Sequence, residues 1–344
     1  MATYYIGADV HVSNTELAIE YRRKIVQRYS VPTSIPAISA VLGSLQGKKF
    51  LAMEEGPMAG WLYRNLSQDV DKFIVCEPRR NKLITSEGDK DDKIDASKLA
   101  TLLRGNFLKV VHHTSDSHRA HLKHWIKLYH DRVRAAVREI NKIRACCRMH
   151  GVRIPRKVVR NQVHRHLWLR GLNNTVLKAQ LTMFWIGYDA SKAQVELAKK
   201  QFSSYARKYP IIQSWSALPG VVLIRATTIF AYLDTPWWFK NRAKLCKYCG
   251  IGLVRVSSGK DKKGRPKPPI LKLPWPVNVR SKEAVMGAAT SAIERTDNAF
   301  KDYYERMLAN GITPTNAKHS VARKIISTMS AMWKTGSEYD ETLL

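Results

Sequence analysis

Acidic residues are scarce in this chain of 344 residues. Asp plus Glu number 28 against 58 Lys plus Arg, for a formal net charge of +30 and a pI of about 10.1. The excess runs along the whole sequence rather than sitting in a tail. It points to a folded surface that covers a polyanion, with nucleic acid the first candidate and an acidic membrane surface the second. Cysteines are few, and Cys76, Cys146, Cys147, Cys246 and Cys249 make no disulfide framework. A reducing cytoplasm is the expected setting. Long apolar runs are missing too. None approaches the roughly eighteen residues that a membrane helix needs, and Val221 to Ile224 is stopped by Arg225, so no membrane partner is expected. No basic segment followed by an apolar one opens the chain, so no signal peptide is expected. What is present is an ordinary 44% of hydrophobic residues and length enough for two or three domains.

The first part reads as strands in quick succession. Tyr4 to Val10, Leu17 to Tyr21 and Lys24 to Tyr29 suggest an antiparallel meander with a turn at Arg22-Arg23. A helix from Ser34 to Leu45 follows, then a strand from Phe50 to Glu54, a helix from Ala59 to Leu66 and a strand from Lys72 to Cys76. This is the pattern of a mixed α/β sheet. Asp9 and Glu54 stand out because each ends a strand, where aspartate and glutamate are uncommon. Sites in open α/β sheets form at the carboxyl ends of strands. The densest acidic cluster, Gly88 to Ala96, precedes an apparent helix, and Asp92 and Asp95 are spaced to share one helix face. By itself such a cluster also reads as a helix cap and first turn. Together, four carboxylates in a basic chain would repel one another unless cations sit between them, and a pair of Mg²⁺ ions is the known solution.

Ile6-Gly7-Ala8-Asp9-Val10-His11, Ala52-Met53-Glu54 and Lys90-Asp91-Asp92-Lys93-Ile94-Asp95-Ala96 stand in the order of a RuvC-like DEDD nuclease domain. The last run resembles the K-T-D-x-x-D-A signature of IS-110 insertion-sequence transposases, with Asp91 where threonine is usual. The resemblance makes Asp9, Glu54, Asp92 and Asp95 the catalytic, metal-binding tetrad. Glu55, beside Glu54, is the neighbouring acid that the motif leaves aside.

From His112 to Met149 a basic stretch carries apolar residues at helical spacing, and Ala190 to Arg207 is its expected partner or continuation. The apolar face suits a helical-hairpin scaffold. Arg134, Arg138, Lys142, Arg144 and Arg148 exceed what a scaffold needs and suit phosphates. The histidines of this stretch lack the companions of a metal site.

Leu218-Pro219-Gly220-Val221 and the apolar segment after it look like the start of a helix-hairpin-helix, where backbone N–H groups can take a DNA phosphate. Cys246 and Cys249 form a lone C-x-x-C, read as buried thiols rather than a zinc site. Most of the aromatics read as core, with base stacking the lesser use. Ser257-Ser258-Gly259-Lys260 opens a glycine- and lysine-rich loop that reads by itself as a solvated basic loop. In the family it resembles the S-G motif of the transposase domain, whose serine joins covalently to a DNA phosphate. Ser258 is the nucleophile on that resemblance, with Ser257 as the fallback, and Lys260, Lys262, Lys263 and Arg265 steady the phosphate. The family's following I-S-K-x-G run is replaced by Pro268 to Pro276. Glu283 to Leu308 and His319 to Trp333 read as two further helices.

The expected organisation is therefore α/β plus α. An RNase H-like (RuvC-like) nuclease domain would span residues 1–110, a helical coiled-coil segment residues 111–209, and a mainly helical C-terminal serine transposase domain residues 210–344. The resemblance implies a DNA recombinase of an insertion sequence with two Mg²⁺ ions, a composite site shared between protomers, a homotetramer (a dimer of dimers) and a structured noncoding guide RNA. It places the protein in a prokaryotic cytoplasm with the nucleoid. One alternative keeps the carboxylates and drops the serine, giving a junction-resolving endonuclease. Another is a nucleic-acid-binding protein with a decayed nuclease fold.

Overall fold

The computed structural model describes residues 2–78, 92–256, 265, 270–274, 277–295 and 297–343, with nothing stated for the side chains of Asp92 and Leu343. The chain divides into two compact units, Met1–Ser117 and His118–Leu344.

The first unit is built on a six-stranded mixed sheet. Its strands are β1 (Thr3–Val10), β2 (Asn14–Tyr21), β3 (Lys24–Pro32), β4 (Lys48–Glu54), β5 (Lys72–Cys76) and β6 (Val110–Val111), in the order β3-β2-β1-β4-β5-β6. The expected meander is present, since β1 to β3 pair antiparallel. β1 pairs parallel with β4, and β4 parallel with β5. Helices α1 (Ile35–Ser44) and α2 (Ala59–Leu66) supply the crossovers that parallel pairing requires. Ser34 caps α1 by accepting from the Ala37 amide, and Pro36 sits in the first turn where its missing N–H costs nothing. One face of the sheet buries Ile6, Ala8, Leu51, Met53 and Val75 against Ile38, Leu42, Leu62 and Leu66 of these helices. The other face takes α3 (Asp92–Arg104), whose Leu99 and Leu103 pack with Ala52, Ile74 and Cys76.

The second unit is helical. Its long helices are α4 (Ser117–Met149) and α7 (Thr175–Ala206), joined through α5 (Arg156–Arg160) and α6 (Gln162–Arg170). α4 starts later than its sequence pattern suggests, and α7 starts well before Ala190. Asn174 gives α7 that start by accepting from the Leu177 amide at 2.9 Å. The two helices run antiparallel. Arg132 meets Gln194 at 3.2 Å, Glu139 lies 3.5 Å from where a Cβ on Gly187 would stand, and Cys146 donates to Gln180 at 3.2 Å. Each pair lies two turns on along α4 and two turns back along α7, the repeat of a coiled coil. At the hairpin tip, Ile140, Ile143 and Cys147 pack with Val158, Val159, Leu181 and Trp185. Burial pushes the Cys147 thiol up to about 11.

At its base the hairpin enters a larger core with α8 (Pro210–Ser216), α9 (Leu223–Leu233), α10 (Arg242–Tyr248), α11 (Val279–Arg295), α12 (Ala299–Ala309) and α13 (Pro314–Thr335). Trp215 is its largest fully buried side chain, with the indole N–H donating to the Met329 carbonyl at 2.9 Å. Glu283 to Leu308 forms parts of two helices rather than one. Asn298 stops the run by donating to the Ala292 carbonyl at 2.9 Å and accepting from the Phe300 amide at 3.0 Å, so it closes α11 and caps α12. A two-stranded ribbon, β7 (Val254–Val256) with β8 (Ile270–Lys272), flanks the serine loop and was not foreseen from sequence. All five cysteines are buried, and none is in a disulfide. Among the described residues no helix is long and apolar enough to cross a membrane.

Candidate functional site

Two strand ends meet at the carboxyl edge of the sheet. β1 and β4 are in register from Thr3 opposite Lys48 to Ala8 opposite Met53, so Asp9 and Glu54 are the next pair. Adjacent strands lie about 4.8 Å apart, which makes these two carboxylates neighbours. Both point to the α3 face. Asp9 is two residues on from Gly7, where a Cβ would stand 2.0 Å from the Ala96 carbonyl oxygen and 2.6 Å from the Ala100 nitrogen. Glu54 is two residues on from Ala52, which packs with Leu99. Successive residues of a strand alternate faces, so both acids share the face of these small residues.

α3 brings the other acids. The missing Cβ of Gly7 lets the helix backbone rest on β1. Buried Glu20, opposite Tyr5 in β2, accepts from Thr101 at 2.9 Å and pairs with Arg104 in the helix's last turn. Gly7 thus meets the middle of α3 and Glu20 its end, so the helix runs antiparallel to β1. Its first turn lies toward Asp9. Asp95 stands one turn before Leu99 on the packed stripe, half-buried. Asp92 is the first residue of α3, and its side chain lies outside the described residues. Asp89 and Asp91 of the acidic cluster lie wholly outside them. Among the described residues no three His, Cys, Asp or Glu groups gather closely enough to hold an ion.

Two histidines flank the acids, and the sequence reading gave neither a role. His11 Nε2 lies 3.2 Å from Asp9 Oδ2. The loop carrying His11 is tied down by Thr33, whose hydroxyl donates to the His11 carbonyl at 2.8 Å and meets Thr15 at 2.8 Å. His113 Nε2 lies 2.5 Å from Glu55 Oε2. Glu55 is thereby engaged with a side chain of its own, beside the strand-end acid Glu54. Glu20, the pin that orients α3, was also passed over. Its only signal was an acid inside an apolar strand.

The basic candidates divide. Arg134, Arg138, Lys142, Arg144 and Arg148 fall within roughly 160° of the α4 circumference at 100° per residue. The buried Ile140, Ile143, Cys146 and Cys147 take the opposite arc. Arg134 also lies 3.5 Å from Asp131, and Lys142 bonds Glu139 at 2.8 Å, which leaves the arc strongly positive. Arg265 is exposed. Ser257, Ser258, Lys260, Lys262 and Lys263 lie outside the described residues. The turn before α9 depends on its glycine. Gly220 has φ +78°, and a Cβ there would meet the Ala288 oxygen at 2.2 Å. Arg225 is spent on this turn, donating to the Gly220 carbonyl at 2.6 Å and to Ser291 at 2.9 Å. Val222 caps α9 without a side-chain bond to its first amides.

Comparison with known families meets this geometry at both ends of the chain. A family model described as a transposase, of the DEDD type of IS110 elements, matches residues 6–150. A second, described as a transposase of the IS116/IS110/IS902 family, matches residues 215–305. The chain belongs to the IS110 family of transposases. It is also similar to the "Insertion element IS110 uncharacterized 43.6 kDa protein" of Streptomyces coelicolor, 27% identical over 143 residues. That alignment covers 42% of this chain and about a third (34%) of the relative. The first IS110-family match contains the four acids and the basic arc of α4, and the second contains the Gly220 turn and Ser258.

In ligand type the acids at the sheet edge suit a hard divalent ion, although the described ones do not by themselves close a site. Asp9, Glu54 and Asp95 offer carboxylate oxygens, and α3 starts beside the strand ends. The thiol nearby, Cys76 opposite Glu54, is buried and donates to the Met53 carbonyl at 3.3 Å.

Proposed function

We propose that this chain is the recombinase of an insertion sequence, cutting and rejoining DNA through carboxylate-held Mg²⁺ and a serine nucleophile. The placement of Asp9 and Glu54 at adjacent parallel strand ends, on the face where α3 begins, carries the reading. That frame, with its antiparallel meander followed by parallel strands, supports an RNase H-like fold for the first unit. Asp9, Glu54, Asp92 and Asp95 would hold two Mg²⁺ ions. When bound, the ions supply charge neutralisation at the phosphoryl oxygens and a lower pKa for an attacking hydroxyl.

The chain's own groups do the rest. The Ser258 hydroxyl attacks a DNA phosphorus. A serine–phosphate bond forms, the bond to one deoxyribose oxygen breaks, and the serine proton ends on that leaving oxygen. A deoxyribose hydroxyl of a second strand then attacks the same phosphorus and releases the serine, which regains a proton. The number of phosphoester bonds is unchanged, so no external energy source is needed. Lys260, Lys262, Lys263 and Arg265 face the charge that gathers on the phosphate. The arc of Arg134, Arg138, Lys142, Arg144 and Arg148 binds backbone phosphates of element or target DNA, or of a structured noncoding guide RNA. Work divides among residues 1–110, 111–209 and 210–344 as nuclease, helical nucleic-acid-binding and serine segments. An exposed apolar row on α7, Val176, Met183, Ile186 and Leu197, has the spacing of a coiled-coil seam and supports a homo-oligomer, a tetramer in our reading. We assign its action to the cytoplasm, on nucleoid DNA.

The test is a denaturing gel of protein mixed with element-end DNA, Mg²⁺ and the element's noncoding RNA. A protein–DNA adduct is expected, lost in Ser258→Ala and kept in Ser257→Ala. Cleavage that continues in Ser258→Ala with no adduct would instead make the chain a junction endonuclease using water.

A further inference from the structure

One aromatic side chain in the second unit does not join the core. Trp237 is 70% exposed, on a short 3₁₀ turn of Pro236–Trp238 between α9 and α10. The turn is held firmly. Pro236 is buried, and the Trp237 amide donates to the Thr235 hydroxyl at 3.4 Å. On the far side Phe239 packs on Tyr248 with ring centres 5.3 Å apart, and the Tyr248 hydroxyl donates to the Tyr232 carbonyl at 2.6 Å. Burial pushes the Tyr248 phenol up to about 12, so this anchor keeps its proton in ordinary conditions. The indole therefore stands in water on a fixed backbone, an arrangement that hydrophobic burial alone would not favour.

Its neighbours are mostly cations, and the nearest acid in the chain, Asp234, is paired with Arg119 at 3.2 Å. Lys334 Nζ lies 5.3 Å from the ring centre. Lys240, Arg242 and Lys244 follow as exposed residues, and Asn241 caps their helix by accepting from the Lys244 amide at 3.0 Å. From Thr235 to Lys260 the chain has no Asp or Glu. A ligand here has to offer a flat apolar face and negative charge close by. An unpaired nucleotide offers both, a base to lie on the indole and phosphates to meet the cations. An anionic membrane would also meet cations, but interfacial anchoring draws on several apolar side chains, and this turn presents a single indole.

We infer that Trp237, with Lys334 and the cations of α10, is a stacking site for an unpaired nucleobase, of DNA or RNA. This rests on the nucleic-acid reading above. It adds that the second unit holds a base out of its stack on the segment that runs through α10 and β7 to the serine loop.

The full chain is tested in EDTA, so that binding is read without cleavage. Fluorescence anisotropy is measured with one twenty-nucleotide sequence as single-stranded DNA, single-stranded RNA and duplex DNA. Trp237→Ala is expected to weaken binding of a single strand about tenfold to hundredfold, and duplex binding less than about threefold. Trp237→Phe should keep most of the affinity. Whichever single strand loses more identifies the natural source. In the wild-type chain, an iodouracil-substituted oligonucleotide should photo-crosslink at Trp237, a readout that needs no variant. Equal single-strand affinity in Trp237→Ala, an equal loss on duplex, or crosslinks mapping elsewhere would overturn the site while leaving the recombinase reading intact. Loss of binding to anionic phospholipid vesicles in place of oligonucleotides would overturn it in favour of a membrane contact. Failure of the wild-type chain to bind any oligonucleotide would sink both.

Discussion

Each of the two units uses a glycine to seat an alanine-lined helix, and they differ in what the helix then delivers. In the first unit Gly7 of β1 lies under Ala96 and Ala100 of α3, and in the second Gly220 lies under Ala288 and Ala292 of α11. In both, a Cβ on the glycine would meet a backbone oxygen at 2.0–2.2 Å. The seated helix of the first unit starts with aspartates beside two strand-end acids. The contact in the second unit fixes a turn ahead of a helix whose first amides have no side-chain cap. One device brings a helix start to the acidic edge of a sheet in one unit and shapes the turn before a helix start in the other.

The sharpest way to break this contrast is to remove an acid. Asp9→Asn or Glu54→Gln should lower DNA cleavage on the order of a thousandfold with the thermal melt unchanged. Cleavage within tenfold of wild type would mean that the strand ends are not the metal site. Next in size are the two glycines. Gly220→Ala combines a left-handed backbone with a clash, and should cost about 3 kcal/mol or more in urea unfolding. Gly7→Ala carries the clash alone and should cost about 1–3 kcal/mol. It should also reduce cleavage more than its stability loss explains, because α3 shifts with its aspartates. Equal stability costs for the two would remove the difference we draw.

The smallest effect is a pH dependence confined to the second unit. His130 bonds the Thr228 hydroxyl at 2.9 Å, and burial, aided by Arg134, lowers its pKa from the ordinary 6.5 against the pull of Glu283. The unfolded chain then takes up a proton before the folded one as pH falls. Stability is therefore complete above about pH 6.5 and declines below it. Urea midpoints measured from pH 7.5 to 5 should show this decline, and His130→Gln should flatten it.

Much of this was readable from the residues. The strand ends at Asp9 and Glu54 and the meander follow from local pattern, because alternation and turn chemistry are local properties. Their pairing was not. Glu20 looked like an ordinary strand residue until Thr101 and Arg104, far along the chain, proved to be its partners. His113 gained meaning only beside Glu55, and the full length of α7 only from the Asn174 cap.

The sequence by itself determined the charge balance, the acids and the serine motif, and with them the family and the chemistry to look for. Tertiary structure decided which acids share an edge. It set the direction of α3 along β1, and it left Trp237 in solvent while Trp215 was buried. Those outcomes depend on contacts between residues distant in the chain. No local pattern encodes the distance between two side chains until the backbone between them has folded.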